Sequence, residues 1–157
     1  TAGWMAFSHG SNDAQKTMGI ITLALAVHYD WAGQGRALEV PLWVIFLAGS
    51  VMAAGTYLGG YRVIRTLGGR IVSMRPVHGA AAEGAAAGVI TIASQIGVPI
   101  STTHVITSSI LGMGSTRRLS AVRWGVAKGI VYAWVLTFPI CALLGAGLYY
   151  LADLVTA

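Results

Sequence analysis

Residues 42–60 pass without one charged side chain, and about 20 mostly apolar residues is the length a helix needs to cross a hydrocarbon core. That run constrains the chain more than any other feature in it. Three further stretches, 4–31, 79–114 and 125–153, are long and largely apolar but carry interruptions. Composition agrees, because only 10% of the 157 residues are charged while 55% are hydrophobic. An ordinary soluble domain carries about 25% charged residues, and 10 basic with 5 acidic side chains cannot cover a globule this apolar. A soluble enzyme is therefore excluded as the leading reading. Cys141 is the single cysteine, so neither an internal disulfide nor a cysteine-based zinc site is expected.

Basic residues in short loops mark the cytoplasmic side of a membrane protein. Arg62, Arg65, Arg70 and Arg75 follow the second run, and Arg117, Arg118, Arg123 and Lys128 follow the third. The 33–41 connection sets only Arg36 against Glu39, and the far end carries only Asp153. Loops 61–78 and 115–128 should therefore both be cytoplasmic, so residues 79–114 must leave and return. Each arm is short for a full crossing, which favours a re-entrant hairpin with its tip at Gly97-Val98-Pro99. Such non-helical backbone at membrane depth needs surrounding protein or a water-filled cavity. The basic residues flank apolar spans rather than alternating with exposed aromatics, so orientation and lipid contact explain the net charge of +5 and nucleic acid is not an expected partner.

Two polar constellations interrupt the apolar runs. The first is Ser8-His9-Gly10-Ser11-Asn12-Asp13-Ala14-Gln15-Lys16-Thr17. Asp or Lys at bilayer depth costs about 2.5–3.5 kcal/mol on insertion scales, and such residues usually face a polar interior. Gly10 permits a helix break that Ser11, Asn12 or Asp13 could cap, leaving a half-helix end suited to an anion, with Asp13 free to hold a cation or proton. The competing reading is a solvated loop before a span starting at Thr17, which leaves that span short. The second constellation is Pro99-Ile100-Ser101-Thr102-Thr103-His104. Pro suits a first helical turn, and the three hydroxyls add donors to its orphan N–H groups, a nest fit for a tetrahedral oxyanion. Hydroxyls also serve as glue between membrane helices, and His104 reads more as a hydrogen-bonded packing residue than as a ligand. Glu83 lies among alanines and glycines at 79–88, where a carboxylate must be protonated, paired or bound to a cation. Pro139 predicts a kink in the last run. No metal-ligand spacing, P-loop or nucleophile–base pair appears, so catalysis has no support.

Phe7-Ser8-His9-Gly10-Ser11-Asn12-Asp13-Ala14-Gln15-Lys16-Thr17-Met18-Gly19 resembles the Gly-Ala-Asn-Asp signature of the PiT family of inorganic phosphate transporters. Val98-Pro99-Ile100-Ser101-Thr102-Thr103-His104 is similar to that family's Pro-(Val/Ile)-Ser-Thr-Thr-His signature, and Arg117-Arg118-Leu119-Ser120-Ala121-Val122-Arg123-Trp124-Gly125 resembles the loop after its hairpin. The likeness runs over essentially the whole chain. It implies an all-α polytopic membrane protein, one half of an inverted-repeat transporter with broken helices and a re-entrant helical hairpin. Residues 1–157 would form its C-terminal repeat, and the opening Thr1-Ala2-Gly3-Trp4, with no signal-peptide pattern, fits a piece of a longer chain whose N-terminal repeat is its partner.

Carried over by motif, the resemblance implies that Ser101, Thr102 and Thr103 hold phosphate, that Asn12 and Asp13 help form the ion and phosphate site, and that Glu83 belongs to the coupling-ion machinery. Lys16 stands where the family has an asparagine. An ammonium there repels Na⁺ and pairs with Asp13 or with phosphate, which favours coupling to H⁺ or uptake of a metal phosphate over coupling to Na⁺. The expected function is secondary active transport of inorganic phosphate with no resident cofactor, an anion channel and a non-transporting membrane subunit being the alternatives. Self-association is left open.

Overall fold

The computed structural model describes residues 1–31, 33–35 and 37–156, leaving aside the side chains of 62, 155 and 156. Arg36, invoked above for the charge balance of the 33–41 connection, and the Arg62 side chain lie outside the described residues. The fold is all-helical: α1 (Ala2–His28), α2 (Leu42–Arg65), a π-helical turn (Thr66–Arg70), α3 (Pro76–Gln95), α4 (Thr102–Arg117), a 3-10 turn (Leu119–Ala121) and α5 (Trp124–Thr156). It divides into two compact units, Thr1–Val122 and Arg123–Ala157.

The expected break at Gly10 does not occur: α1 runs unbroken through the whole polar constellation, so no half-helix end lies at Asp13. The reason is energetic. A glycine inside a helix costs only about 1 kcal/mol against alanine, and the polar side chains find partners without leaving the helix. Ser11 Oγ donates to Ser8 O and Thr17 Oγ1 to Asp13 O. Ser8 and Asn12, both buried, reach across to α3. At about 1.5 Å per residue the 27 residues of α1 could cross a bilayer, with their polar run at mid-length.

Side-chain bonds show that α1 and α3 run parallel. Thr1 Oγ1 donates to Glu83, Trp4 Nε1 to Thr91 Oγ1, and Asn12 Nδ2 to Ser94 Oγ, so the partners climb both helices together. Thr91 gives its own hydroxyl proton to Ala87 O at 2.7 Å. Ser8 must therefore be the donor in the 2.9 Å contact between Ser8 and Thr91. Beneath these bonds Ala82, Ala86, Ala87 and Ile90 are buried, small side chains letting the helices approach. Interhelical hydrogen bonds of this kind average about 0.6 kcal/mol each, so the seam is held jointly.

The chain reverses between α3 and α4 at Ile96–Ser101, with Gly97 at φ 74°, a left-handed conformation that glycine adopts without a Cβ penalty. Pro99 does not open the following helix as its position suggested. Helix α4 begins at Thr102 with Ser101 as N-cap, its hydroxyl accepting from His104 N–H. A serine cap satisfies an orphan donor, which proline cannot do, and Pro99 holds the residue before it away from helical geometry.

Two charged segments also differ from expectation. Helix α2 continues through Arg65 into the π turn, so residues 61–65 are helical, and Lys128 lies within α5. The segments after α2 and α4 are joined by an antiparallel bridge between Val72 and Val122, whose side chains, with Ile71 and Ile110, are buried. Gly114 packs directly on them, and a Cβ there would stand 2.7 Å from Val72 and 3.0 Å from Val122.

Helix α5, by itself the second unit, runs through Pro139 without interruption, and most of its large apolar side chains are exposed. Among the described residues two segments are long and apolar enough to cross a membrane: Leu42–Tyr61, with mean hydropathy 1.6, and Trp124–Leu154, with 1.9.

Candidate functional site

Midway along α1, Asp13 gathers three side chains. Lys16 Nζ lies 2.9 Å from Oδ1, while Oδ2 accepts from Thr102 Oγ1 at 3.1 Å and stands 3.0 Å from His9 Nε2. The helical pitch explains two of them, since His9 and Lys16 are four before and three after Asp13, on its own face. The third comes from the start of α4. Lys16 donates in addition to the main-chain oxygen of Ile100, so the turn ahead of α4 is tied to α1 at two adjacent points. Asp13 and Lys16 are each about one-third exposed and His9 is 40% exposed, and the Asp13 carboxylate is paired with the Lys16 ammonium.

Beside this cluster lies a cavity of about 350 Å³, many times the roughly 30 Å³ a water occupies. His9, Glu83, Thr102 and Thr103 form its polar wall, and the end of α2, the π turn and α4 supply an apolar one. A second hollow, of about 430 Å³, lies between α1 and the first half of α2 and is bordered by Asp13, Thr17 and Met52. Asp13 thus lines one hollow while its partners His9 and Thr102 line the other.

The residues singled out from the sequence are distributed unevenly around this geometry. Thr102, Thr103 and Glu83 share the first cavity, and Asp13 and Lys16 adjoin it through Thr102 and Ile100. Glu83 is half-buried and accepts from Thr1. Ser101 is exposed and engaged as the cap of α4, so the three hydroxyls do not point into one nest. Asn12 is buried and turned toward α3, its Nδ2 bonded to Ser94 and its Oδ1 without a partner. Among the described residues no group of three or more His, Cys, Asp or Glu could hold a metal ion.

A family model described as the phosphate transporter family matches residues 1–145. The chain belongs to the phosphate transporter family. Members of this family are transporters, not enzymes, and membrane proteins. The chain is 44% identical, over 99% of its length and 46% of the relative's, to a probable low-affinity inorganic phosphate transporter of Bacillus subtilis. It is 46% identical to one of the same description from Mycobacterium tuberculosis, across 99% of this chain and 37% of that one. Inorganic phosphate transporter 2-1, chloroplastic, of Arabidopsis thaliana is 39% identical over 92% of this chain and 25% of its own. The chain therefore spans less than half the length of these relatives. No solved structure matches it.

Sequence reasoning missed His9 as a neighbour of Asp13, the Ser8–Thr91 and Asn12–Ser94 bonds, and the grip of Lys16 on Ile100. The spacing 9/13/16 would have revealed the first once α1 was read as continuous, and 8/12 opposite 91/94 marks polar faces at helical intervals. Nothing local in the sequence announces the Ile100 contact, which joins residues 84 positions apart.

Proposed function

We propose that this chain is the C-terminal half of a secondary transporter that moves inorganic phosphate across the membrane by alternating access. Several segments cross the bilayer, segments 61–78 and 115–128 face the cytoplasm, and the α3–α4 pair re-enters from that side. The supporting observation is the 3.1 Å bond from Thr102 Oγ1 to Asp13 Oδ2, which joins the two polar constellations beside a cavity that Thr103 and Glu83 also line.

Coupling follows from what that bond occupies. While Asp13 is anionic and empty it holds the Thr102 hydroxyl and the Lys16 ammonium, both of which suit a phosphate oxygen. Uptake of a proton or cation by Asp13 weakens its hold on both and releases them toward the anion. Glu83, with a single hydroxyl partner, carries compensating charge at the other side of the cavity. Secondary transporters built from repeats hold substrate and coupling ion near mid-membrane at the repeat interface, and the N-terminal repeat would complete the pocket.

Phosphate uptake by proteoliposomes containing the full-length protein tests the proposal, with pH and Na⁺ gradients imposed separately. Saturable uptake with counterflow supports a carrier, flux without counterflow indicates a channel, and no phosphate flux under either gradient rejects transport.

A further inference from the structure

Five arginines of the first unit, Arg65, Arg70, Arg75, Arg117 and Arg118, occupy helix ends and turns and are exposed. No acidic residue occurs at 40–82 or at 84–152. The five come from two segments far apart in sequence, which the Val72–Val122 bridge holds side by side. Arg70 stands two residues from Val72, about 7 Å at full extension. Arg118 is folded toward Val122 by the 3-10 turn, in which Ala121 N donates to its carbonyl at 3.0 Å. Gly114, packed against both valines, seats the end of α4, and with it Arg117, on the same bridge. A bias for orientation alone needs only the count of basic residues in each loop. Here a buried apolar clasp fixes two arginine-bearing segments at one place.

We infer that this arginine patch is a binding surface for anionic phospholipid headgroups of the cytoplasmic leaflet, Arg70 and Arg118 at its centre. It rests on the membrane orientation proposed above. Guanidinium groups match phosphate in two-pronged hydrogen bonding, and arginine near an anionic leaflet is drawn to it. The commitment is to lipid, since the patch lies at the helix ends where headgroups stand, on the far side of the 16-residue α4 from Thr102.

The test uses the purified full-length transporter in mixed micelles, with retained phosphatidylglycerol and phosphatidylcholine counted by native mass spectrometry. The Arg70→Gln/Arg118→Gln pair should retain phosphatidylglycerol about thirtyfold more weakly, about fivefold for each arginine, with Lys at both positions intermediate and phosphatidylcholine unaffected. Equal phosphatidylglycerol retention by the Gln pair, or equal retention of the two lipids by the unmodified protein, overturns the inference. So does displacement of phosphatidylglycerol by millimolar inorganic phosphate, which would assign the patch to the free anion. Should the Gln pair fail to insert, a salt titration of the unmodified protein decides, because affinity for phosphatidylglycerol that does not fall as salt rises contradicts charge recognition. Phosphate uptake by the same preparation reports on the transport reading separately, so the two can fail independently.

Discussion

Asp13 and Glu83 are both acidic, both on small-residue helices and both near the same cavity, yet they are held very differently. Both oxygens of Asp13 are engaged, by Lys16 on one side and by Thr102 and His9 on the other, whereas Glu83 has one described partner, the Thr1 hydroxyl, and lines the cavity directly. The difference teaches that two carboxylates beside one cavity can be held as a junction between helices or left facing the open space. Asp13 joins α1 to α4, so changing it disturbs architecture, and on the reading proposed above transport as well. Glu83 bonds to a residue at the start of α1 and, among the described residues, joins no second helix start, so replacing it should disturb the packing less.

The sharpest way to break this contrast is Asp13→Ala in the full-length transporter. Removing one partner of a buried pair costs about 3–5 kcal/mol of stability, less here because the cluster is part-exposed, so the thermal midpoint in detergent should drop. Loss of the ion-binding carboxylate should separately lower uptake about a hundredfold, about 2.7 kcal/mol on the transport barrier. Unchanged uptake would remove Asp13 from the mechanism. Glu83→Gln should reduce uptake by about tenfold while moving stability by no more than about 0.5 kcal/mol, read from initial rates and thermal unfolding of one preparation. A large loss of stability would make Glu83 a second junction. Lys16→Asn restores the amide that the resemblance places there and removes the ammonium that repels Na⁺. Uptake should become several-fold faster in a Na⁺ gradient than in a choline gradient, and indifference to Na⁺ would detach Lys16 from ion choice. Gly114→Ala should destabilise by about 1–3 kcal/mol through overpacking against the two valines, with transport by the surviving folded protein unchanged. Ser8→Ala should cost least, about 0.6 kcal/mol, measured as a small fall in thermal midpoint.

What the sequence revealed follows the range of the forces involved. The second and last apolar runs became α2 and α5 because long, sparsely charged apolar sequence favours continuous helix, and Gly97-Val98-Pro99 marked the reversal because turn chemistry is local. The continuity of α1 was not legible, since Gly10 and its polar neighbours locally favour a break and only the partners offered by α3 and α4 reverse the balance. Likewise Ser101, Thr102 and Thr103 are consecutive hydroxyls with three different engagements, a cap, a bond to Asp13 and a place on the cavity wall. Their separate roles are set by where α4 begins, which Pro99 suggested wrongly. The Val72–Val122 bridge was invisible because each valine stands in a loop that by charge alone reads as solvated.

The contact between Lys16 and the carbonyl of Ile100 carries a consequence for how this turn can vary. Because the acceptor is main chain, whatever side chain occupies position 100 leaves the tether in place, and replacements there can reshape the neighbourhood without untying it. Only the helix-borne end of this link is open to genetic removal, so position 16 decides whether this tether exists, while the bond from Thr102 to Asp13 is a separate mooring that either of its side chains can undo.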